Sequence, residues 1–529
     1  MAQGRQVGSA VIRGGLLGTF TGLVVSIGNA FVGVVLAAIL LPEDMGLYRW
    51  AAALGLAGAY AASFGLEDVL AREIIRLREA GQEAKAVSLV RRSLKFRLLL
   101  SAGVFALLFG LVGPALYLFS SFSPRGLYGY TVAVLIGLGS LFWVNLNIVT
   151  SILDSTFRLT LSRTLILVQF VLSSSLRLAL TYLYGIAGLA LATFAYGLVT
   201  VAVAEIVLYI VVIRPNAGAP LERGMFARFL RDSGLRTVLI LEYTVLTTMD
   251  VVMLALLFPE ATVGQYGVAR IVIAVFVGLA SPIGIALYPY TLSQLTLGNR
   301  GSALGMSLSI TSLVSVFAMG LCMISAPPFI MAALPAYAES VPWVVMMAPT
   351  VFFQFGFYSA LAAVAAFDRR FQFQIAVYAL MTPILAGATW WGSMIFGPAV
   401  AAMVQGVAFL GIHGPMLLRL VPRNVRRRLA RELVLSATAT VSALSIATLL
   451  VISLEPLPGL LAGVTSYAVL FVLLYGRVMR GLDRDKTRVA ARILGELGVS
   501  RTASDRILGL VTGRRVASVP GTGAGRGQG

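Results

Sequence analysis

Residues 40–85 read LLPEDMGLYRWAAALGLAGAYAASFGLEDVLAREIIRLREAGQEAK. The stretch opens on Pro42 with two acids, Glu43 and Asp44. It continues as an apolar run rich in Gly and Ala over 47–65, and closes on a segment carrying Arg72, Arg76, Arg78 and Lys85. Apolar runs flank it at 16–41 and 97–121. A hydrocarbon core about 30 Å thick takes roughly 20 apolar residues of helix. The run over 47–65 is therefore read as a membrane span, with the acids on one side of the bilayer and the bases on the other.

The same reading extended along the 529 residues gives about fourteen spans: 16–41, 47–65, 97–121, 128–150, 161–183, 187–212, 237–258, 265–289, 303–326, 341–366, 371–393, 398–418, 433–454 and 459–476. The expected fold class is an all-α polytopic membrane protein. With 58% hydrophobic residues, 12% charged residues and a mean hydropathy of +0.91, too little polar surface remains for a soluble globule. The first apolar stretch is too long for a signal-peptide core and lacks a clear small-residue cleavage site, so it reads as a retained span.

All but four of the 41 Lys and Arg residues fall on one side of these spans, and that side is expected to be cytoplasmic, with both termini on it and the chain in the plasma membrane. The opposite loops are short and carry Glu43, Asp44, Glu260, Glu339 and Glu455. The net charge of +19 thus lines one face, where anionic membrane lipids are the expected counter-charge rather than nucleic acid. Cys322 is the only cysteine and reads as a small core residue. His413 is the only histidine, so no metal site is expected and interfacial packing is its plainest role.

The opening turn recurs. Pro42-Glu43 followed by Gly46 and Tyr48 returns as Pro259-Glu260 followed by Gly264 and Tyr266, at an offset of 217 to 218 residues. Each copy joins two spans on the acidic side. Six spans per half is an even number, so the halves run the same way through the membrane, as parallel repeats about an axis along the membrane normal. The expected organisation is an N-terminal lobe over 1–213, a linker over 214–236, a second lobe over 237–420, an extra helix pair over 421–476 and a basic tail over 477–529. The segment 66–97 reads as a helical hairpin broken near Gly81, with Val69, Ile74, Ile75 and Leu77 turned to the membrane surface or a neighbouring helix.

On residues 40–85, on TTMDVVMLALLFPEATVGQYGVARIVIAV with Asp250, Gly264, Tyr266 and Arg270, on SLRLALTYLYGIAGLALATFAYG and on YPYTLSQL with Pro289, the chain resembles polysaccharide-biosynthesis membrane proteins of the Wzx type. These are oligosaccharide-lipid flippases of the multidrug/oligosaccharidyl-lipid/polysaccharide (MOP) exporter superfamily. The resemblance covers roughly 40–475 and rests on Gly, Tyr and Pro at turns. It implies two six-helix lobes in a V around a central cavity, alternating between inward-open and outward-open forms, and a lipid-linked oligosaccharide as substrate. It also implies cationic cavity residues for the diphosphate and a groove for the lipid tail beside the extra helix pair.

The four exceptions to the charge rule are Arg49, Arg125, Arg177 and Arg270. Three fall in or just inside spans, where an Arg costs roughly 2.5–3.5 kcal/mol on insertion scales and faces a partner or a watery cavity. Arg49 and Arg270 follow the repeated tyrosines, one from each half, and two guanidinium forks suit a diphosphate. The competing reading has Arg49 snorkelling to headgroups and Arg270 paired with Asp250. Arg177 and Arg13 are further candidates for the diphosphate, against structural pairing and helix anchoring.

Glu205, Glu242 and Asp250 are the intramembrane acids, which either bind Na⁺ or H⁺ for coupling or neutralise the arginines. Potential alone is a third drive: two charges moving across about 100 mV gain roughly 4–5 kcal/mol. Asn145, Asn147, Gln169 and Gln354 are candidates to line the cavity or to bond between helices. Pro282, Pro289, Pro349 and Pro383 fall in spans as kinks or bending points. A cation-coupled drug or metabolite antiporter is the alternative function. A membrane glycosyltransferase or polymerase fits less well, since no outer loop exceeds about fifteen residues and no nucleotide-binding motif is present. The chain is read as a non-enzyme without a cofactor that works as a monomer.

Overall fold

The computed structural model describes residues 2–478 except 216–217, 297, 358–359, 362, 365–370 and 455. Most of the basic tail, with Arg480, Arg484, Arg514 and Arg515, lies outside the described residues, as does Glu455. Within the described residues the chain is all helix and turn, without a strand.

The helices are α1 (Ala2–Ile39), α2 (Pro42–Ser63), α3 (Leu66–Glu79), α4 (Glu83–Leu107), α5 (Gly113–Phe119), α6 (Gly126–Ser155), α7 (Leu159–Leu208), α8 (Met225–Leu257), α9 (Glu260–Thr296) and α10 (Arg300–Ala333). They continue as α11 (Ser340–Met347), α12 (Pro349–Phe355), α13 (Phe371–Phe396), α14 (Ala399–Leu420), α15 (Arg423–Ile452) and α16 (Pro456–Val478). Among the described residues, ten stretches are long and apolar enough to cross a membrane. One of them, Leu159–Ile213, holds two crossings. Gly185 breaks it with φ 57° and ψ −137°, a conformation open essentially to glycine alone. With α2, the pair α11 and α12, and α16, the described residues reach the fourteen crossings expected.

Helix α2 falls short in hydropathy because it is built of Gly, Ala and Arg49 rather than Leu and Val, and the packing explains why. It faces helices on nearly every side, against α6, α8 and α9. A Cβ on Gly55 would lie 2.7 Å from the Gly137 Cα of α6, so the two backbones touch, which is how small residues join helices in lipid. Elsewhere the outward side chains are large and apolar, including Phe119, Leu127, Trp391, Ile395 and Ile452. Such a surface is satisfied only by lipid.

On the acidic side one core runs through both halves, joining Leu36, Trp50, Phe122 and Ile136 to Leu254, Tyr266, Tyr337 and Met347. On the basic side the cores are separate. One belongs to the first half together with the first turns of α8 (Met225 and Phe229), and the other to the second half together with α15 and α16. The extra pair is fastened to α10, where the Tyr467 hydroxyl donates to the Phe317 carbonyl at 3.2 Å and the two rings stack at 5.6 Å.

The basic hairpin forms as α3 and α4, turning at Gly81. Val69, Ile74 and Leu77 are buried against neighbouring helices while Ile75 faces out. Lys85 Nζ donates to Glu222 at 2.7 Å, and that contact holds the Glu222 carboxyl below its ordinary value. The segment expected as a linker over 214–236 differs in detail: helix begins at Met225 and runs unbroken into the seventh crossing. Its first turns are amphipathic, with Phe229 buried in the core of the first half and Arg228 and Arg231 exposed.

Candidate functional site

The two repeated turns meet face to face. A Cβ on Gly46 would lie 2.5 Å from the Glu260 carbonyl oxygen, and one on Gly264 would run into the Pro42 carbonyl. At an offset of 218, Gly46 corresponds to Gly264 and Pro42 to Glu260, so these two contacts are one contact seen twice. Reciprocal pairing of this kind marks a two-fold axis. Arg49 corresponds to Gly267 in the same register and its Cγ would be 2.5 Å from a Cβ there, so Arg49 sits on the axis, in room left by its own counterpart. Gly264→Ala is expected to lower the apparent Tm by forcing the seam apart, at roughly the 1–3 kcal/mol of an overpacked core. Gly267→Ala is expected to lower it less, because a side chain rather than backbone must move.

Two further bonds cross the seam: Tyr337 Oη donates to the Leu40 carbonyl at 2.8 Å, and the Ser121 N–H donates to the Ala255 carbonyl at 2.8 Å. Just inside it lie three arginines. Arg49 is half-buried on α2, in electrostatic range of Arg177 and Arg270, and its Nε is buried without a hydrogen-bond partner among the described residues. Arg177 on α7 donates from Nη2 to the Tyr48 hydroxyl at 2.6 Å and lies 5.7 Å from the centre of that ring, leaving its buried Nε unpartnered among the described residues. A cation over an aromatic face at this range is attracted by the ring quadrupole. Arg270 on α9 is paired, with Nη1 reaching Asp250 Oδ1 at 2.5 Å and Oδ2 at 2.8 Å.

Asp250 on α8 is filled to capacity. Besides Arg270 it accepts from the Tyr266 hydroxyl at 2.5 Å and from the Val251 N–H at 2.9 Å. Of the two readings offered by the sequence, Arg270 takes the structural ion pair. Tyr48 and Tyr266 are equivalent by the 218-residue offset, yet one holds an arginine and the other an aspartate. The repeat has been put to unlike use on its two sides.

The other sequence candidates are dispersed. Glu242 is half-buried on α8 with its Oε2 buried and unpartnered among the described residues. Glu205 on α7 lies in electrostatic range of Arg97. Gln354 donates to the Tyr243 hydroxyl at 2.7 Å, a bond between helices. Asn147 is half-buried on α6, and Gln169 is buried on α7. Arg13 and Asn145 lie on helices at positions whose side chains are outside the described residues. His413 is buried, 2.7 Å from the Phe353 carbonyl. Pro349 opens α12 after a break at Ala348, and Pro383 lies inside α13. Among the described residues no cluster of three or more His, Cys, Asp or Glu is placed to hold a metal ion.

Two residues that were not among the candidate site residues matter here. Arg125, in the turn before α6, donates from Nη1 to Asp44 at 2.6 Å and from Nε and Nη2 to Glu260 at 2.8 and 2.7 Å, tying both repeated turns together. Its signal was present, as a lone base among acidic loops. Arg97 counted among the basic-face residues, but it is 2% exposed, with Nε and Nη1 unpartnered among the described residues and Glu67 and Glu205 nearby.

No protein-family model matches the sequence, and no curated protein matches it. Among solved structures it matches the lipid II flippase MurJ in an inward closed conformation, with TM-score 0.67 and 13% identity over 87% of this chain and 98% of that one. The chain shares its fold with MurJ. It also matches a multidrug resistance MATE family transporter of the MOP superfamily: inward-facing with TM-score 0.54 and 15% identity over 78% of this chain and 98% of that one, and outward-facing with 0.51 and 14% over 80% and 96%. At these identities the likeness is one of fold. The two-lobed, V-shaped, all-α architecture expected from the sequence is the architecture of this chain, a multi-pass membrane protein.

Proposed function

We propose that this protein is a flippase that moves a polyprenyl-diphosphate-linked sugar or oligosaccharide from the cytoplasmic to the outer leaflet, for cell-surface polysaccharide or glycan synthesis. The observation that carries the proposal is the charge imbalance inside the seam, where Arg49, Arg177 and Arg270 face one carboxylate, Asp250. Unmatched cations at membrane depth are costly, and a bound anion of about two charges would complete the set. Arg49 and Arg177, on α2 and α7, each keep a buried Nε without a partner among the described residues, and two such guanidinium groups suit the two phosphates of a diphosphate. The likeness to a lipid II flippase agrees with a lipid-linked substrate. No covalent bond is made or broken in this reading.

The lobes over 1–213 and 237–420 would rock about the seam, with 421–476 beside the lipid tail and the basic side, including both termini, in the cytoplasm of a cell whose plasma membrane holds the protein as a monomer. Asp250 is engaged as a partner of Arg270, so Glu242 is the better placed acid for Na⁺ or H⁺ coupling. A cation antiporter would require the opposite charge balance at the seam.

Native mass spectrometry of the purified protein tests the reading. A polyprenyl-diphosphate sugar is expected to be retained over the corresponding monophosphate and over a cationic dye such as ethidium, and retention is expected to weaken in Arg49→Ala and Arg177→Ala. Dye binding without lipid preference would overturn the flippase and favour the antiporter.

A further inference from the structure

Away from the seam, the basic face of the first lobe holds a cavity lined by cationic side chains. This cavity of about 280 Å³ opens between α3, α4, the turn joining α6 to α7 and the basic-side end of the α7 helix. Its floor is aliphatic, with Val87, Val90, Val211 and Val212, and its polar wall holds Arg78, Glu83 and Arg158. Arg78 is fixed in place: Nε donates to Glu83 at 3.3 Å and the guanidinium stands 5.9 Å from the centre of the Phe157 ring. That fixing uses one edge of the fork. The Nη1 on the other edge is buried and has no hydrogen-bond partner among the described residues.

The surroundings say which leaflet and which phase the cavity meets. Ile206, Tyr209 and Ile210, on the α7 crossing beside it, are more than half exposed, as is Phe157, so acyl chains pass close by. The wall itself is a single π-turn at Tyr209–Ile213, held by Arg91 Nη2 donating to the Ile213 carbonyl at 3.3 Å. Wider turns of this kind recur at functional sites. The volume falls just under the roughly 300–1,000 Å³ of sites that enclose a drug-sized ligand. It suits one headgroup better than an oligosaccharide.

We propose that this cavity binds the phosphate of an anionic glycerophospholipid of the leaflet on the basic side, with Arg78 and Arg158 on the phosphate and the chains running along the exposed face of α7. Two arginines against one glutamate select a net negative headgroup, and the aliphatic floor takes the glycerol and first methylenes. The bound lipid would pin the α3–α4 hairpin to the end of the sixth crossing, which moves with the first lobe. The site is independent of the seam and of what the seam carries.

The test is native mass spectrometry of the full chain with phosphatidylglycerol, phosphatidylethanolamine and phosphatidylcholine, and with soluble glycerol 3-phosphate as competitor. The variants are Arg78→Gln with Arg158→Gln, and Val87→Trp, which fills the cavity without touching charge. The wild type is expected to retain phosphatidylglycerol over both zwitterionic lipids, and each variant to lose at least tenfold of that retention while remaining monodisperse with its Tm kept. Phosphatidylglycerol retention unchanged in both variants would overturn the site. Equal retention of phosphatidylethanolamine would overturn the selection for net charge, and displacement by equimolar glycerol 3-phosphate would show a free-phosphate site instead of a lipid site.

Discussion

Arg49→Met is expected to weaken retention of a polyprenyl-diphosphate sugar while leaving thermal stability equal to or above that of the wild type, whereas Arg270→Met is expected to lower stability sharply. The two arginines look alike in the sequence, each following a repeated tyrosine at a lobe entrance. Their surroundings differ. Arg49 leaves its Nε buried and unpartnered among the described residues and makes no ion pair among them. Removing it lifts an insertion cost of up to roughly 2.5–3.5 kcal/mol. The ligand loses charge-assisted bonds of about 1.5–3 kcal/mol, roughly a 10- to 150-fold change in affinity. Arg49→Lys keeps the charge but not the fork, so it should fall between.

Arg270 neutralises Asp250, which is 2% exposed. Deleting one partner of a buried pair costs about 3–5 kcal/mol, since the remaining charge is left without compensation. Asp250→Asn should recover part of the stability of Arg270→Met, because the stranded carboxylate is then gone. Thermal unfolding of the wild type and the four variants, read beside lipid titrations by native mass spectrometry, separates the roles. Equal destabilisation by Arg49→Met and Arg270→Met would make Arg49 a structural residue and remove it from the proposed site.

The spans were legible because lipid imposes a length and a composition on each crossing, and the basic hairpin because Gly81 and the spacing of Val69, Ile74 and Leu77 carry its period. Helix α2 was found in spite of its low hydropathy, since the flanking acids and bases marked both ends. Partners were harder to see. Asp250 and Arg270 stand on consecutive helices, and only the packing decides that they meet. Arg97 was placed on the basic face by its neighbours in sequence, but its direction on α4 takes it inward. The repeat carries more than the pairing of its turns: the offset of 218 that aligns Tyr48 with Tyr266 also aligns Arg49 with Gly267, so the axial place of Arg49 follows from register. The basic-face cavity was not legible, being built from three separated segments of which none carries a motif.

Arg125→Gln is expected to shift the protein toward a form open on the acidic side. The Arg125 guanidinium is the common partner of Asp44, in the first repeated turn, and Glu260, in the second. Its loss both breaks two ion pairs and leaves two carboxylates facing each other across the seam. All three side chains are about a fifth exposed, so the effect should lie between the 0–1 kcal/mol of surface pairs and the 3–5 kcal/mol of buried ones. A coupling of roughly 1–3 kcal/mol corresponds to a 5- to 150-fold change in the ratio of closed to open forms. Asp44→Asn alone should do less, because Arg125 keeps Glu260, and raised salt should narrow the gap between variants. Spin labels at Leu127→Cys and Glu339→Cys, exposed positions on opposite lobes, report the separation, and the buried Cys322 should escape labelling. A longer second distance is expected to gain population in Arg125→Gln. An unchanged distribution would mean that the close packing at Gly46 and Gly264, with the bonds of Tyr337 and Ser121, holds the seam without the ion pairs. The lobes would then part only against backbone contacts, and the latch would be reassigned from charge to shape.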